Sequence, residues 1–261
     1  MVKLVYAAPA ASRSGPTGVP IAYSGAPGAY AQQAAARFCP EASTVAVEGF
    51  GAVAAAVSAG AWGVVPCENR TAGPVADAIL AVAQVPVRIA ADLWLPVPHT
   101  LLAQPGAALA ELTEVASHPQ ALAQCRAFLA SRRLKPIASL TTTTAAAAVA
   151  REGPRHRGAI APAAAATLYG LHIVATHIAT DPANATRFWL IVPDGTPAWR
   201  GSSRTATVAT WLDEPAPPGA RVLLPGGADQ PTVLEFSTRK DTLPAIAGPI
   251  KSLGSYPRCA G

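Results

Sequence analysis

The sequence predicts an α/β fold of two lobes facing one another across a cleft, with a small appendage at the C-terminal end. Short apolar runs alternate with alanine-rich helical stretches from residue 19 to 169, the pattern of successive βα units around a mainly parallel sheet. The chain crosses out of the first lobe near residue 99 and returns through HIATDPANATRFWLIVP, where a strand at 187–192 closes that lobe again. After Pro193 the composition changes, with nine prolines between Gly195 and Gly261; proline at that density stops long helices.

The elements follow in order. Residues 1–19 carry no periodicity and read as a loose arm. An apolar run at 19–23 enters the turn GAPG (25–28) and a helix at 30–38, the entrance of a βα unit. A helix at 49–60, a strand at 62–65, a turn at 66–73, a helix at 75–83 and a strand at 88–95 complete the first lobe, which spans 20–98 plus 180–193. After the extended crossing LPVPHTLLAQ, the second lobe (99–179) holds a strand at 114–117 and helices at 119–131, 141–152 and 163–169 around the run 158–161. In the tail, 194–261, the runs 206–212 and 232–236 are placed to pair as strands.

Composition excludes several classes. A chain of 261 residues builds a core without staples, and 51% hydrophobic against 13% charged residues is too apolar for disorder. Its apolar residues never run uninterrupted for the ~20 positions a membrane helix needs. The net charge of +5 is scattered, with only Arg151, Arg155, His156 and Arg157 clustered, which argues against nucleic acid and suits a small anion. Cys39, Cys67, Cys125 and Cys259 lie far apart and share no ligand spacing with the histidines, so a reduced, metal-free protein is expected. The start MVKLVYAAPAASRSG is brief for a signal peptide, while the absence of acids before Glu41 leaves a transit segment open.

Three polar clusters sit where an apolar run meets a helix, the position at which backbone N–H groups favour anions: CENRTAG (67–73), SHPQALAQC (117–125) and DPANATRF (181–188). Each by itself is also what helix capping produces, with Asn69, Thr71, Ser117 or Asn184 bonding its own backbone. Three in one two-lobed chain point to a shared cleft.

In order and wording these stretches, with IAYSGAPGAY (21–30), VVPCENRTAG, PVPHTLL (96–102), Thr144-Ala145 and AAAATLYGL (163–171), resemble the catalytic domain of the prephenate dehydratase family, arogenate dehydratases included, over residues 20–193. SHPQALAQC and N-x-T-R-F are the specific parts. The resemblance implies a periplasmic-binding-protein-like pair of lobes, a cytoplasmic homodimer (plastid if the source is a plant or alga), and no cofactor. It also implies a dianionic substrate, prephenate, losing CO2 and water to give phenylpyruvate in phenylalanine biosynthesis. Carried over by position, Thr186 is the proton donor to the departing hydroxyl, Arg187 the fork for a carboxylate, and Asn69, Ser117 and Gln124 the orienting donors. Thr144 and the backbone at Gly28 line the pocket by the same carry-over. His118 and His99 read as capping or packing residues, Cys67 and Cys125 as buried fillers.

Departures accompany the matches. Arg70 stands where the family has Ser or Thr, and is expected at the cleft on a substrate carboxylate; Ala29 and Ala31 replace hydroxyl-bearing residues. RTATVATWLDEP resembles the first strand of a phenylalanine-binding ACT domain, but APPGARVLLPGG cannot make the helix that should follow, and LEFSTRKD only echoes that domain's Glu-Ser-Arg signature. Phenylalanine regulation is therefore not implied. Two rival readings stand beside the dehydratase: a prephenate decarboxylase, which keeps the ring hydroxyl, and a non-catalytic module that binds a small carboxylate.

Overall fold

A computed structural model describes residues 18–152, 154–196, 204–210, 216, 219–226, 230–238 and 250–257. Most of the N-terminal arm, 1–17, and the stretches 211–215 and 239–249 of the tail lie outside the described residues.

The first lobe runs β1 (Ile21–Ser24), α1 (Tyr30–Phe38), β2 (Thr44–Val47), α2 (Gly49–Ser58), β3 (Trp62–Asn69), the two-residue β4 (Gly73–Pro74), α3 (Ala76–Ala83) and β5 (Val87–Pro96). The second runs β6 (Thr100–Ala103), β7 (Glu114–Ser117), α4 (Pro119–Gln124), α5 (Arg126–Ser131), β8 (Lys135–Ala138), α6 (Thr142–Glu152), β9 (Arg157–Ala161), α7 (Ala164–Tyr169) and β10 (His172–Ala175). The chain then returns in β11 (Ala185–Pro193) and ends in β12 (Arg204–Thr210), β13 (Ala220–Leu224), β14 (Thr232–Thr238) and β15 (Ile250–Pro257).

Three sheets result. The first has the order β2-β1-β3-β11-β5 with β4 on β3, the second β10-β6-β9-β7-β8, the third β13-β14-β12-β15. The expectation of mainly parallel sheets is corrected: β1 is parallel to β2 and β3, but β11 runs antiparallel to both β3 and β5, and β6 antiparallel to β9 and β10. In the first sheet the returning strand imposes this, because it enters from the far side of the crossing. The expected pairing in the tail is present, with Ala206 opposite Phe236.

Apolar side chains cover both faces of the first sheet. Ile21, Tyr23, Phe38, Val64 and Leu190 form one core beneath α1. Val53, Val57, Ile79, Trp189 and Ile191 form the other beneath α2 and α3, and Leu223, Leu224, Val233 and Leu253 of the third sheet belong to that same core. The appendage therefore completes the first lobe instead of hanging from it. The second sheet has its own two cores, one around Leu101, Val115 and Ile160, the other around Ala145, Ala146 and Val149.

β3 carries a bulge. Phe188 of β11 faces Pro66 and Arg187 faces Glu68, so Cys67 is the extra residue. Side chains alternate between the faces of a regular strand, and one extra residue reverses the alternation beyond it. As a result Asn69, not Glu68, comes to lie on the cleft face opposite Thr186. The predicted turn at 66–73 is thus largely strand.

Candidate active site

Between the lobes lies a cleft of about 1090 Å³. Its walls include the turn after β1 (Ser24, Gly25, Ala26), the start of α1 (Ala29, Tyr30, Ala31), Asn69, and Thr186 and Phe188 of β11; from the second lobe come His118, Gln120, Gln124 and the segment 140–144.

At one end of the cleft the two lobes are joined by a directional set of hydrogen bonds. The Asn69 amide donates to Thr186 Oγ1 (3.0 Å), to Asn184 Oδ1 (3.0 Å) and to the Ala185 carbonyl (3.2 Å). Its own carbonyl oxygen accepts from the Thr71 and Ala72 backbone N–H groups and from the Thr71 hydroxyl at 2.8 Å. Gln124 reaches over from α4: its amide donates to Thr71 Oγ1 (2.5 Å) and Asn69 Oδ1 (3.3 Å), while Oε1 accepts from Asn184 Nδ2 (3.2 Å) and sits 2.7 Å from His99 Nε2. An amide oxygen only accepts, so the His99 proton must be on Nε2. Burial holds the His99 imidazole below its usual pKa, offset in part by the bond to Gln124. It is therefore neutral at pH 7. The two asparagines are buried, and Asn69, which alone of the set donates to Thr186, is held in turn by Thr71, Asn184 and Gln124.

This geometry brings Thr186, Asn69 and Gln124 together as expected, and adds Asn184, Thr71 and His99. The signal for Asn184 was in the sequence: it stands two residues before Thr186, just ahead of β11, where alternation carries both to one side. His99 was read as packing at the crossover, and its function as a support for Gln124 is set by a contact 25 residues away in the chain.

The remaining expected residues divide: Arg187, Ser117 and Arg70 do not line the cleft, whereas Thr144 and the turn around Gly28 do. Arg187 points away from the cleft, since its neighbour Thr186 points in; it is 2% exposed, donates through Nε to Asp92 Oδ2 at 2.6 Å and through Nη1 to Glu235 Oε2 at 2.9 Å, with Glu68 at 3.8 Å. Ser117 is fully buried and donates to the Ile160 carbonyl at 2.7 Å, tying β7 to β9 under the cleft. Thr144 does line the cleft, but its oxygen accepts from the Thr141 N–H and its N–H bonds Thr141 Oγ1, a reciprocal cap on α6. Gly28 adopts φ +86 and lies at the lobe contact, where a Cβ would meet Leu168 at 3.4 Å; its neighbours Ala26 and Ala29 form the wall. Arg70 stacks over the Trp94 ring, 5.4 Å from its centre, and is not among the residues lining the cleft. Its long apolar stem finds an indole beside it on β5, a better partner than open solvent.

His118 caps α4, accepting from the Gln120 N–H. Cys39, Cys67 and Cys125 are buried; burial pushes the Cys125 thiol up to about 12 and that of Cys67 well above the usual range. The Tyr30 hydroxyl, also raised by burial, donates to the Pro98 carbonyl at 2.7 Å and ties α1 to the crossing.

The sequence profile of the family described as prephenate dehydratase matches residues 21–196. The chain belongs to the prephenate dehydratase family. Among curated relatives, the arogenate dehydratase/prephenate dehydratase 1 of Arabidopsis thaliana is 37% identical over 177 residues, covering 66% of this chain and 45% of the relative. Arogenate dehydratase 1 of Petunia hybrida is also 37% identical over 177 residues, with 41% of that protein covered. A bifunctional N-acyl-homoserine lactone acylase/prephenate dehydratase of Komagataeibacter europaeus is 33% identical over 172 residues, 65% of this chain and 61% of that one. The chain thus matches less than half the length of the plant relatives. Among solved structures, the prephenate dehydratase of Arthrobacter aurescens, in complex with L-Phe, superposes with a TM-score of 0.79 at 22% identity over 92% of this chain and 90% of its own. The quorum-quenching acylase GqqA superposes at 0.76 with 25% identity over 92% and 98%. Such coverage exceeds the two lobes alone and takes in part of the third sheet, so the two-lobed fold with its appendage is a shared architecture.

Proposed function

We propose that this chain is a decarboxylating dehydratase that converts prephenate to phenylpyruvate, or arogenate to phenylalanine, without a cofactor. The observation that carries the reading is the Asn69 to Thr186 hydrogen bond at the cleft floor. With Asn69 donating to Oγ1, the Thr186 hydroxyl keeps its proton for a substrate oxygen, and the amide stabilises negative charge as that proton leaves. Loss of the ring hydroxyl with CO2 aromatises the ring, so the enzyme has only to assist the departing oxygen; a positioned hydroxyl suffices if its hydrogen bond strengthens in the transition state. Gln124, Asn184 and Thr71 hold the Asn69 amide in that orientation.

Carboxylate recognition falls to the helix N-termini of α1 and α6, which open on the cleft with Ala29 to Ala31 and Thr141 to Thr144. No Arg or Lys stands among the described residues that line it, which leaves backbone N–H groups, hydroxyls, the amides of Asn69, Gln120 and Gln124 and the imidazoles of His99 and His118 as the available donors. The replacement of two hydroxyls by Ala29 and Ala31 narrows that set further. A homodimer acting in the cytoplasm completes the reading; the names of several plant relatives specify the chloroplast.

The test is product identification with purified protein. Prephenate should give phenylpyruvate, or arogenate phenylalanine. A hydroxyl-bearing, unaromatised product would mean decarboxylation without dehydration, and turnover of neither substrate would favour a binding module. Because the Komagataeibacter europaeus relative is named as an acylase too, release of homoserine lactone from an N-acyl substrate is the second activity to assay.

A further inference from the structure

The third sheet holds the residues next to the two at the cleft floor. On β3 and β11, the rung Asn69 to Thr186 faces the cleft and the adjacent rung Glu68 to Arg187 faces the opposite way. On that far side the Arg187 guanidinium meets Asp92 of β5 and Glu235 of β14, and Arg221 of β13 donates to Glu68 and, at 3.3 Å, to Glu235 Oε2. Glu235 is 4% exposed and Asp92 3%. The ladder just there is interrupted by the Cys67 bulge, so backbone bonding by itself leaves the two rungs less constrained than a regular pair.

We propose that Glu235 and Arg221 are positioning residues for the proton donor: gripping Arg187 and Glu68, they fix the bulged strand pair and thereby aim Thr186 and Asn69 into the cleft. This rests on the dehydratase reading for its kinetic arm only. A buried guanidinium is costly to leave unpaired, so the Arg187 side chain cannot shift while Glu235 and Asp92 hold it. Because Thr186 is the next residue on the same strand, its backbone cannot shift either. The appended sheet, in this account, is part of the active site's scaffold.

The experiment uses the full chain with Glu235→Gln, which keeps shape and removes charge, and Arg221→Gln, at a half-exposed residue where folding is safer. Amide hydrogen exchange is read in peptides spanning 64–70 and 185–190, with the second-lobe strand β6 as internal control. Exchange at the floor should rise by about tenfold or more while β6 stays unchanged, local opening without global unfolding. kcat should fall about tenfold with KM within about twofold, and in a Thr186→Val background Glu235→Gln should cost little more, since residues acting through one another are not additive. Unchanged floor exchange in both variants, or an equal kcat loss with and without Thr186, would overturn the proposal. Should the wild type turn over neither substrate, the dehydratase reading fails, and the exchange measurement still decides the coupling.

Discussion

In the proposed dehydratase reaction Thr186 is a weak acid whose task depends on its neighbours more than on itself. The Asn69 amide at 3.0 Å can follow the developing alkoxide only because Asn184, Thr71 and Gln124 occupy its remaining hydrogen-bonding capacity. Thr186→Val, nearly isosteric, should lower kcat by about 10²- to 10⁴-fold, the range for removing a general acid, with KM changed far less. Thr186→Ser should keep much of the rate; steady-state kinetics of phenylpyruvate formation would check both. At the far end of the same network His99 links stability to pH. Burial places its folded pKa below the unfolded value of ~6.5, so as pH falls the unfolded chain takes up a proton first. The stability His99 contributes is then complete above about pH 6.5 and declines as pH drops below it. Thermal unfolding of wild type and His99→Gln from pH 7.5 to 5 should show the wild type losing more of its melting temperature, and parallel curves would refute a neutral His99.

At the scale of the element, much of the architecture was legible because its signals are local. The Gly-rich entrance to α1, the proline that opens α4 and the threonine-led start of α6 are each set by residues within one turn, and the three helices begin where the pattern placed them. What the pattern did not carry is the phase of a strand. The facing of Arg187 follows from Thr186 by simple alternation, yet whether Glu68 or Asn69 meets Thr186 depends on an extra residue at Cys67, and a bulge has no reliable mark in sequence. The partner that draws Arg187 away, Glu235, is 48 residues downstream in a sheet the pattern described only as two pairing runs. Ser117 was misread for a related reason: a hydroxyl at a strand end serves the next strand as readily as a ligand. Glycines offer a test at this scale. Gly28 has φ +86 with Leu168 and Ala165 of the other lobe beside it, whereas Gly49 has φ +79 and open space. Alanine at either position should cost roughly 1–2 kcal/mol of left-handed strain, and the two losses should be similar, because the methyl at Gly28 would meet Leu168 and Ala165 at ordinary contact distance. Urea unfolding of the two variants would check this, and a clearly larger loss for Gly28→Ala would mean that the lobe contact there is tighter than these distances indicate.

Considered whole, the molecule has two lobes joined by a crossing and a return, with the candidate site where they meet and its third sheet behind the returning strand. Val87, Ile89, Trp189 and Ile191 of the first sheet are covered by Leu223, Leu224, Val233 and Leu253, so the family's two-lobed unit is not closed on itself in this chain. Ending the chain after Pro193 would uncover that face and remove Glu235 from Arg187, leaving an apolar surface beside a charge cluster of altered balance. Large exposed apolar faces drive association, and breaking a buried ion pair from one side costs about 3–5 kcal/mol. A chain of residues 1–193 should therefore be recovered largely insoluble, or as a species that binds hydrophobic dye and lacks a cooperative melting transition. The full chain should melt as one unit, because the third sheet and the first lobe share a core. Calorimetry of the full chain and solubility of the truncated one would check this together. A soluble, cooperatively folded 1–193 fragment would show that the first lobe can close its own face and that the appended sheet is an addition the fold can do without.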